Sequence, residues 1–456
     1  MSTTILNVLS ILAAAALPWE PGDALELRYQ GELKQIHRGS ETQVKDFSVY
    51  LVLHGQEDET LQLDWLVEER GGSGWNWPER MGQMTINSKL QPAGERIPRI
   101  MHVHDGVDHP LDVEFPIFAG TNRIADKATW QEGNWEWTVG GTKQIGDRTC
   151  REVNGVSANG RSRTVCIDTS IPIVVSANRR LFMGRGDQFE LSLRLESVSS
   201  LSEAQLSRIA APLATFAALQ AKLGREPVAT DKDLSDKQLQ AIADEAEKFR
   251  RQATDTPLAQ FANVVLRDVK AQQQRVSELT AVAESMLGRK APAVDFQWLT
   301  EAPEQLPLSP GRITVLHFWD YQDSPLKEPY GQVGYLDFLN NRRRKLGVDV
   351  VGVAVHERFG NPQTEPAARR SARKLKEFMN LGYSLGVDDG SLLKLFGDPR
   401  RSGGQLPLWV VVGADGKIIH YRVGYYAVDP RDGLKELDDV LVAEIQRARK
   451  EAGAKK

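Results

Sequence analysis

The chain has 456 residues, enough for roughly two to four domains of ordinary size. Hydrophobic residues make up 41% and charged residues 26%, the balance of a globular protein rather than a disordered or fibrous one. A formal net charge of −4 is close to neutral for this length and excludes the broad basic surface that nucleic acid requires.

The apolar run Ile5 to Leu17, with small residues at Ala13 to Ala16, marks 1–19 as a signal segment. No Lys or Arg precedes it, so the alternative is a mis-assigned start or a buried first strand. The run is too short for a stable membrane span.

Residues 20–200 are expected to form an antiparallel β-domain. Phe189, Leu191, Leu193 and Leu195 alternate with Glu190, Ser192, Arg194 and Glu196, the period of a half-buried strand. Phe47 to Leu53 and Leu61 to Glu68 read as further strands. Turn signals such as Gly71-Gly72, Gly140-Gly141 and Asn159-Gly160 punctuate the region.

Three features of this region carry chemistry. The chain's two cysteines, Cys150 and Cys166, are symmetric about Ala158 and flank a Gly-containing turn. A hairpin centred there sets them opposite each other, within disulfide reach; two buried free thiols are the alternative. A disulfide implies an oxidising compartment, so the protein is expected to be extracytoplasmic, with a cytoplasmic location as the alternative. His102 and His104 share one face if they lie on a strand, with Asp105, Asp108 and His109 nearby. Two imidazoles and a third donor suit zinc or copper, but the spacing fits no closed metal motif, so these histidines are candidates only and no cofactor is expected. Trp75 with Trp77, and Trp135 with Trp137, form same-face pairs if their segments are strands, either as core packing or as an aromatic ligand face.

Residues 201–287 switch to helical period. Ser202 with Gln205 and Ser235 with Gln238 are capping-box starts, and Thr256-Pro257 opens a third helix. Over 257–287 that helix carries apolar residues in alternating steps of four and three, from Leu258 to Met286, broken by Gln272. The seam serves either packing within the chain or an oligomer contact.

The remainder, 288–456, alternates strands and helices, the pattern of an α/β domain. It opens Gly288-Arg289-Lys290-Ala291-Pro292 and runs into the strand Ile313 to Phe318, followed by Trp319 and then Asp320 to Pro329. A helix is expected near 330–346 and a second strand at Val348 to Val355. Leu406-Pro407 and the strand Leu408 to Val412 come later, with Ala414-Asp415-Gly416-Lys417 as the following turn. These segments resemble the extracytoplasmic TlpA-type thioredoxin-like domains. The resemblance implies a thioredoxin-like fold, thiol:disulfide oxidoreductase chemistry, and a cis-proline at Pro407 facing a C-x-x-C pair. Here the two cysteine positions fall on Asp323 and Leu326. A carboxylate and an alkyl group can neither attack nor resolve a disulfide. Asp323 and Ser324 instead suit the start of a helix, as caps.

The expected whole is a multidomain α+β protein: an antiparallel β-domain, a helical hairpin or bundle, and a thioredoxin-like domain. The leading expectation of function is a redox-inactive binding or assembly module with a protein partner, with no catalytic residue and with Asp323, Leu326 and Pro407 as vestigial redox positions. The alternatives are a thiol:disulfide oxidoreductase, and a ligand- or metal-binding protein acting through the β-domain.

Overall fold

The computed structural model describes residues 24–56, 60–71, 74–87, 92–93, 96–118, 123–230, 233–300, 302–303, 307–321 and 332–454. The expected signal segment, and Asp323, Ser324 and Leu326, lie outside the described residues. The chain divides into two compact units, Met1–Lys270 and Ala271–Lys456.

Among the described residues the first unit holds thirteen strands: β1 (Ala24–His37), β2 (Ser40–Gly55), β3 (Leu61–Arg70), β4 (Met81–Ile86), β5 (Pro92–Ala93), β6 (Arg99–His104), β7 (Val107–Asp112), β8 (Thr129–Glu132), β9 (Trp135–Ile145), β10 (Arg148–Ser157), β11 (Ser162–Asp168), β12 (Val174–Met183) and β13 (Asp187–Ser200). Eleven of them form one sheet in the order β5-β4-β3-β2-β1-β13-β12-β11-β10-β9-β8, and β6 with β7 makes a separate hairpin. Every pairing is antiparallel, as the alternating pattern requires. One face carries a continuous core reaching from Trp65 to Val139, and Ile100 of the hairpin, Val113 and Ile117 join it.

Large rings set two close approaches in this sheet. Gly31 pairs with Phe47 across β1 and β2, and a Cβ on Gly31 would lie 2.0 Å from the ring. Gly155 pairs with Trp137 across β10 and β9, where a Cβ would lie 2.8 Å from the indole. Each glycine lets the ring lie over the backbone and extend the core.

Three helices follow: α1 (Glu203–Leu223), α2 (Asp236–Ala253) and α3 (Ala259–Met286). Both capping boxes form, at Ser202 with Gln205 and at Ser235 with Gln238. The Thr256 hydroxyl accepts from the Leu258 N–H just ahead of α3. Phe216, Phe249 and Phe261 bring the three helices together at ring separations of 5.2, 5.3 and 6.1 Å. The unit boundary falls inside α3, so the stretch 201–287 is shared between the two units. Leu258, Ala262, Val265 and Val269 of the seam are fully buried with the first unit, whereas Val282, Ala283 and Met286 pack on a core of the second.

The second unit contains β14 (Gln297–Trp298), β15 (Ile313–Asp320), α4 (Val333–Arg343), β16 (Val348–Val355), α5 (Glu365–Phe378), β17 (Ser384–Asp388), α6 (Ser391–Leu395), β18 (Leu408–Val412), β19 (Ile418–Val423) and α7 (Lys435–Ala454). Its sheet runs β14-β17-β16-β15-β18-β19. The neighbours β15, β16 and β17 are parallel, while β18, β19 and β14 run antiparallel to theirs. Both faces are covered: Ile313, Val315 and Trp319 enter one core, Leu316 and Phe318 the other. This two-sided burial explains why Ile313 to Trp319 is an unbroken buried run with no alternation. Strand order and sense agree with the thioredoxin-like arrangement that the resemblance implies, and the Leu406–Pro407 bond is cis. No helix among the described residues is long and apolar enough to cross a membrane.

Candidate functional site

Two places merit description, one in each unit. In the second, β15 ends in buried Trp319 and exposed Asp320, and buried Tyr321 follows it. Phe318 pairs with Leu408, so Pro407, one residue before that pair, lies at the same end of the sheet as Asp320. Its carbonyl accepts from the Gly424 N–H at 2.8 Å. His317 is fully buried and stacks on Trp409 at 3.9 Å. Trp409 in turn meets Tyr426 edge-on, and the Arg422 guanidinium sits 4.2 Å from the Tyr426 ring centre.

The backbone of Tyr426 is held by the Gln332 side chain, which donates to its carbonyl at 2.7 Å and accepts from its N–H at 2.9 Å. The Tyr426 hydroxyl and His420 Nε2 are 2.6 Å apart. Burial pushes the Tyr426 phenol up and holds the His420 imidazole down, with Arg422 adding to the latter. Both groups are therefore neutral at pH 7, and the Gln332–Tyr426–His420 hydrogen bonds form a buried structural network. Arg400 makes two 2.9 Å hydrogen bonds to Asp398, which raise its pKa, and the Asp320 charge adds a smaller push. None of these groups performs thiol exchange.

In the first unit, the β6–β7 hairpin carries the three histidines. His102 pairs with His109 across the strands, and His104 shares their face. The rings of His102 and His104 stack at 6.2 Å, and both stand edge-on to Phe189 at 5.5 and 5.1 Å. Burial holds the His102 imidazole below its ordinary value, helped by Lys45, His104 and His109. His109 Nε2 is buried without a hydrogen-bond partner among the described residues.

The three histidines are not gathered as donors among the described residues. His104 converges instead with Asp105 and Asp187, its Nε2 being 2.7 Å from Asp187 Oδ2 and 3.9 Å from Asp105 Oδ2. Sequence reading missed Asp187, which lies 83 positions from His104; only the turn-forming Gly184 to Gly186 before it marks the place.

Beneath the hairpin, Lys45 and Glu69 form an ion pair at 3.2 Å with both side chains fully buried. Glu69 also accepts from the Met101 N–H at 2.7 Å and the Trp75 N–H at 2.5 Å. One carboxylate thus ties the histidine hairpin to the sheet.

Cys150 and Cys166 form a disulfide with Cα atoms 5.5 Å apart, both sulfurs in a small cluster with Val175. The expected register is corrected. Cys150 faces Asp168 and Cys166 faces Glu152, so the bridge is diagonal rather than directly cross-strand. The cause is the turn: Ser157 N–H bonds to the Arg161 carbonyl and Gly160 takes φ +74°, which centres the hairpin on Asn159 instead of Ala158.

The tryptophans divide likewise. Trp135 and Trp137 share a face of β9 and stack at 5.8 Å, with Trp130 stacked on Trp137 at 6.0 Å. Trp75 and Trp77 are not a strand pair. Pro78 locks the backbone into a short 3-10 turn over Trp77–Glu79, and both indoles are buried. Trp77 Nε1 donates to Asp268 at 2.8 Å.

No family model matches the sequence, and no curated protein matches it. Among solved structures, an uncharacterized conserved protein from Geobacillus kaustophilus is 15% identical over 32% of this chain and 70% of its own, with a TM-score of 0.24. A thiol-disulfide isomerase from Corynebacterium glutamicum is 15% identical over 34% of this chain and 96% of its own, with a TM-score of 0.26. A thiol-disulfide oxidoreductase from Bacteroides fragilis is 16% identical over 33% of this chain and 99% of its own, with a TM-score of 0.24.

Proposed function

We propose that 288–456 is a redox-inactive thioredoxin-like module that binds a protein partner, in a protein that works outside the cytoplasm. The observation that carries this reading is the fate of the thiols. The chain has two cysteines, and both are spent in the buried Cys150–Cys166 bridge of the first unit. The second unit keeps the strand order and the cis-proline but has no sulfur with which to attack or resolve a disulfide. Asp323 and Leu326 stand where the resemblance would place cysteines, and with Pro407 they are vestigial.

Two further observations support the reading. Tyr335, Phe338 and Tyr425 stay 40%, 48% and 47% exposed on the second unit, and large exposed apolar groups are what a protein partner covers. A disulfide in a chain with no other cysteine persists in an oxidising compartment.

The test is insulin reduction with a small-molecule dithiol as the electron source. The full chain is expected to run at the rate of the dithiol alone. Acceleration over that background would overturn the reading in favour of a thiol:disulfide oxidoreductase.

A further inference from the structure

We infer that His104, Asp105 and Asp187 form a divalent-metal site of the zinc class, independent of the second unit. The three residues come from the tips of two hairpins: His104 ends β6, Asp105 is in the turn to β7, and Asp187 begins β13. One donor atom from each lies within 4.8 Å of the others. For a tetrahedral ion with bonds of about 2.0–2.1 Å, donors stand about 3.3 Å apart. The His104–Asp187 separation of 2.7 Å would open, and the His104–Asp105 separation of 3.9 Å would close, by roughly 0.6 Å each. Side-chain rotation alone supplies such changes.

Charge argues in the same direction. Two carboxylates converge on one imidazole, and neither forms an ion pair with lysine or arginine among the described residues. One imidazole carries at most a single positive charge and cannot balance two anions. A divalent cation between them does. Gly184 closes the protein side of the site: a Cβ there would fall 2.9 Å from His104 Cδ2 and 3.1 Å from Asp105 Oδ2. The Asp105 and Asp187 side chains are 62% and 46% exposed, so the opposite side is open to solvent for water or a fourth ligand. Imidazole with two carboxylates suits zinc and its transition-metal neighbours better than magnesium or calcium, which prefer all-oxygen sets.

The experiment is calorimetric titration of the tag-free, chelator-stripped full chain with zinc chloride, with magnesium chloride in parallel. One zinc per chain is expected, with magnesium far weaker. Asp187→Asn and Asp105→Asn are each expected to weaken zinc by at least about tenfold, whereas Asp108→Asn, in the same hairpin, leaves it unchanged. Zinc should also raise the melting midpoint of the unsubstituted chain but not of Asp187→Asn. Because Asp105 is an exposed turn residue, its variant covers the case in which Asp187→Asn fails to fold. Absence of stoichiometric zinc binding, or binding that both variants leave intact, would overturn the site and leave His104–Asp187 a hydrogen bond between hairpin tips.

Discussion

Replacing Glu69 by glutamine probes how the histidine hairpin is held. The carboxylate is fully buried, faces the fully buried Lys45 ammonium at 3.2 Å, and accepts from the N–H groups of Met101 and Trp75. Glu69→Gln removes the anion opposite a desolvated cation. It also leaves one of the two backbone donors facing an amide N–H instead of an oxygen. Breaking a buried pair from one side costs about 3–5 kcal/mol, and the lost acceptor falls within that range. Lys45→Met should cost less, because the carboxylate keeps both backbone donors. The double variant should lose less than the sum of the singles, since the two sites are in contact. The assay is equilibrium urea unfolding of the full chain, read by tryptophan fluorescence. Trp65, Trp75, Trp77, Trp130, Trp135 and Trp137 all belong to the first unit and report on it. A Glu69→Gln cost below about 1 kcal/mol, or strict additivity in the double variant, would refute the reasoning by showing that water already solvates the pair.

Two other predictions concern stability. Cys150→Ala with Cys166→Ala opens a loop of sequence separation 16, and chain-entropy reasoning puts the loss at about 3 kcal/mol in the first unit; urea midpoints of the variant and parent check it. Burial holds the His420 imidazole below its ordinary value, so the unfolded chain takes up a proton that the folded chain resists. The contribution of that site is fully present above about pH 6.5 and is lost as pH falls through the depressed folded value. The stability advantage of the parent over His420→Gln should therefore shrink between about pH 7.5 and about pH 5, and an advantage that grows on acidification would contradict the assignment.

Much of the fold was legible because local signals and burial agreed. Phe189, Leu191, Leu193 and Leu195 alternate into the core as their period demands, and both serine capping boxes start helices. The buried apolar runs gave β15 and β16 nearly to the residue. What escaped depended on distance or on turn chemistry. A three-residue turn with Gly160 in the left-handed region moved the cysteine register by two positions, which residue symmetry cannot foresee. Pro78 turned an apparent alternation of tryptophans into a 3-10 turn. Of the sequence cluster His102, His104, Asp105, Asp108 and His109, His104 and Asp105 converge with Asp187, which arrives from a hairpin remote in sequence. Nothing local in the sequence marks Lys45 and Glu69, 24 positions apart, as a buried pair.

The most direct measurement for the central claim is intact mass after alkylation of the native full chain held in a millimolar dithiol, beside a denatured sample. Both cysteines are buried, at 0% and 3% exposure, and the second unit has none. The account predicts an unlabelled native chain and two labels only after denaturation. Two labels on the native chain at low dithiol would mean an accessible, exchanging Cys150–Cys166 couple, and would contradict a module without thiol chemistry.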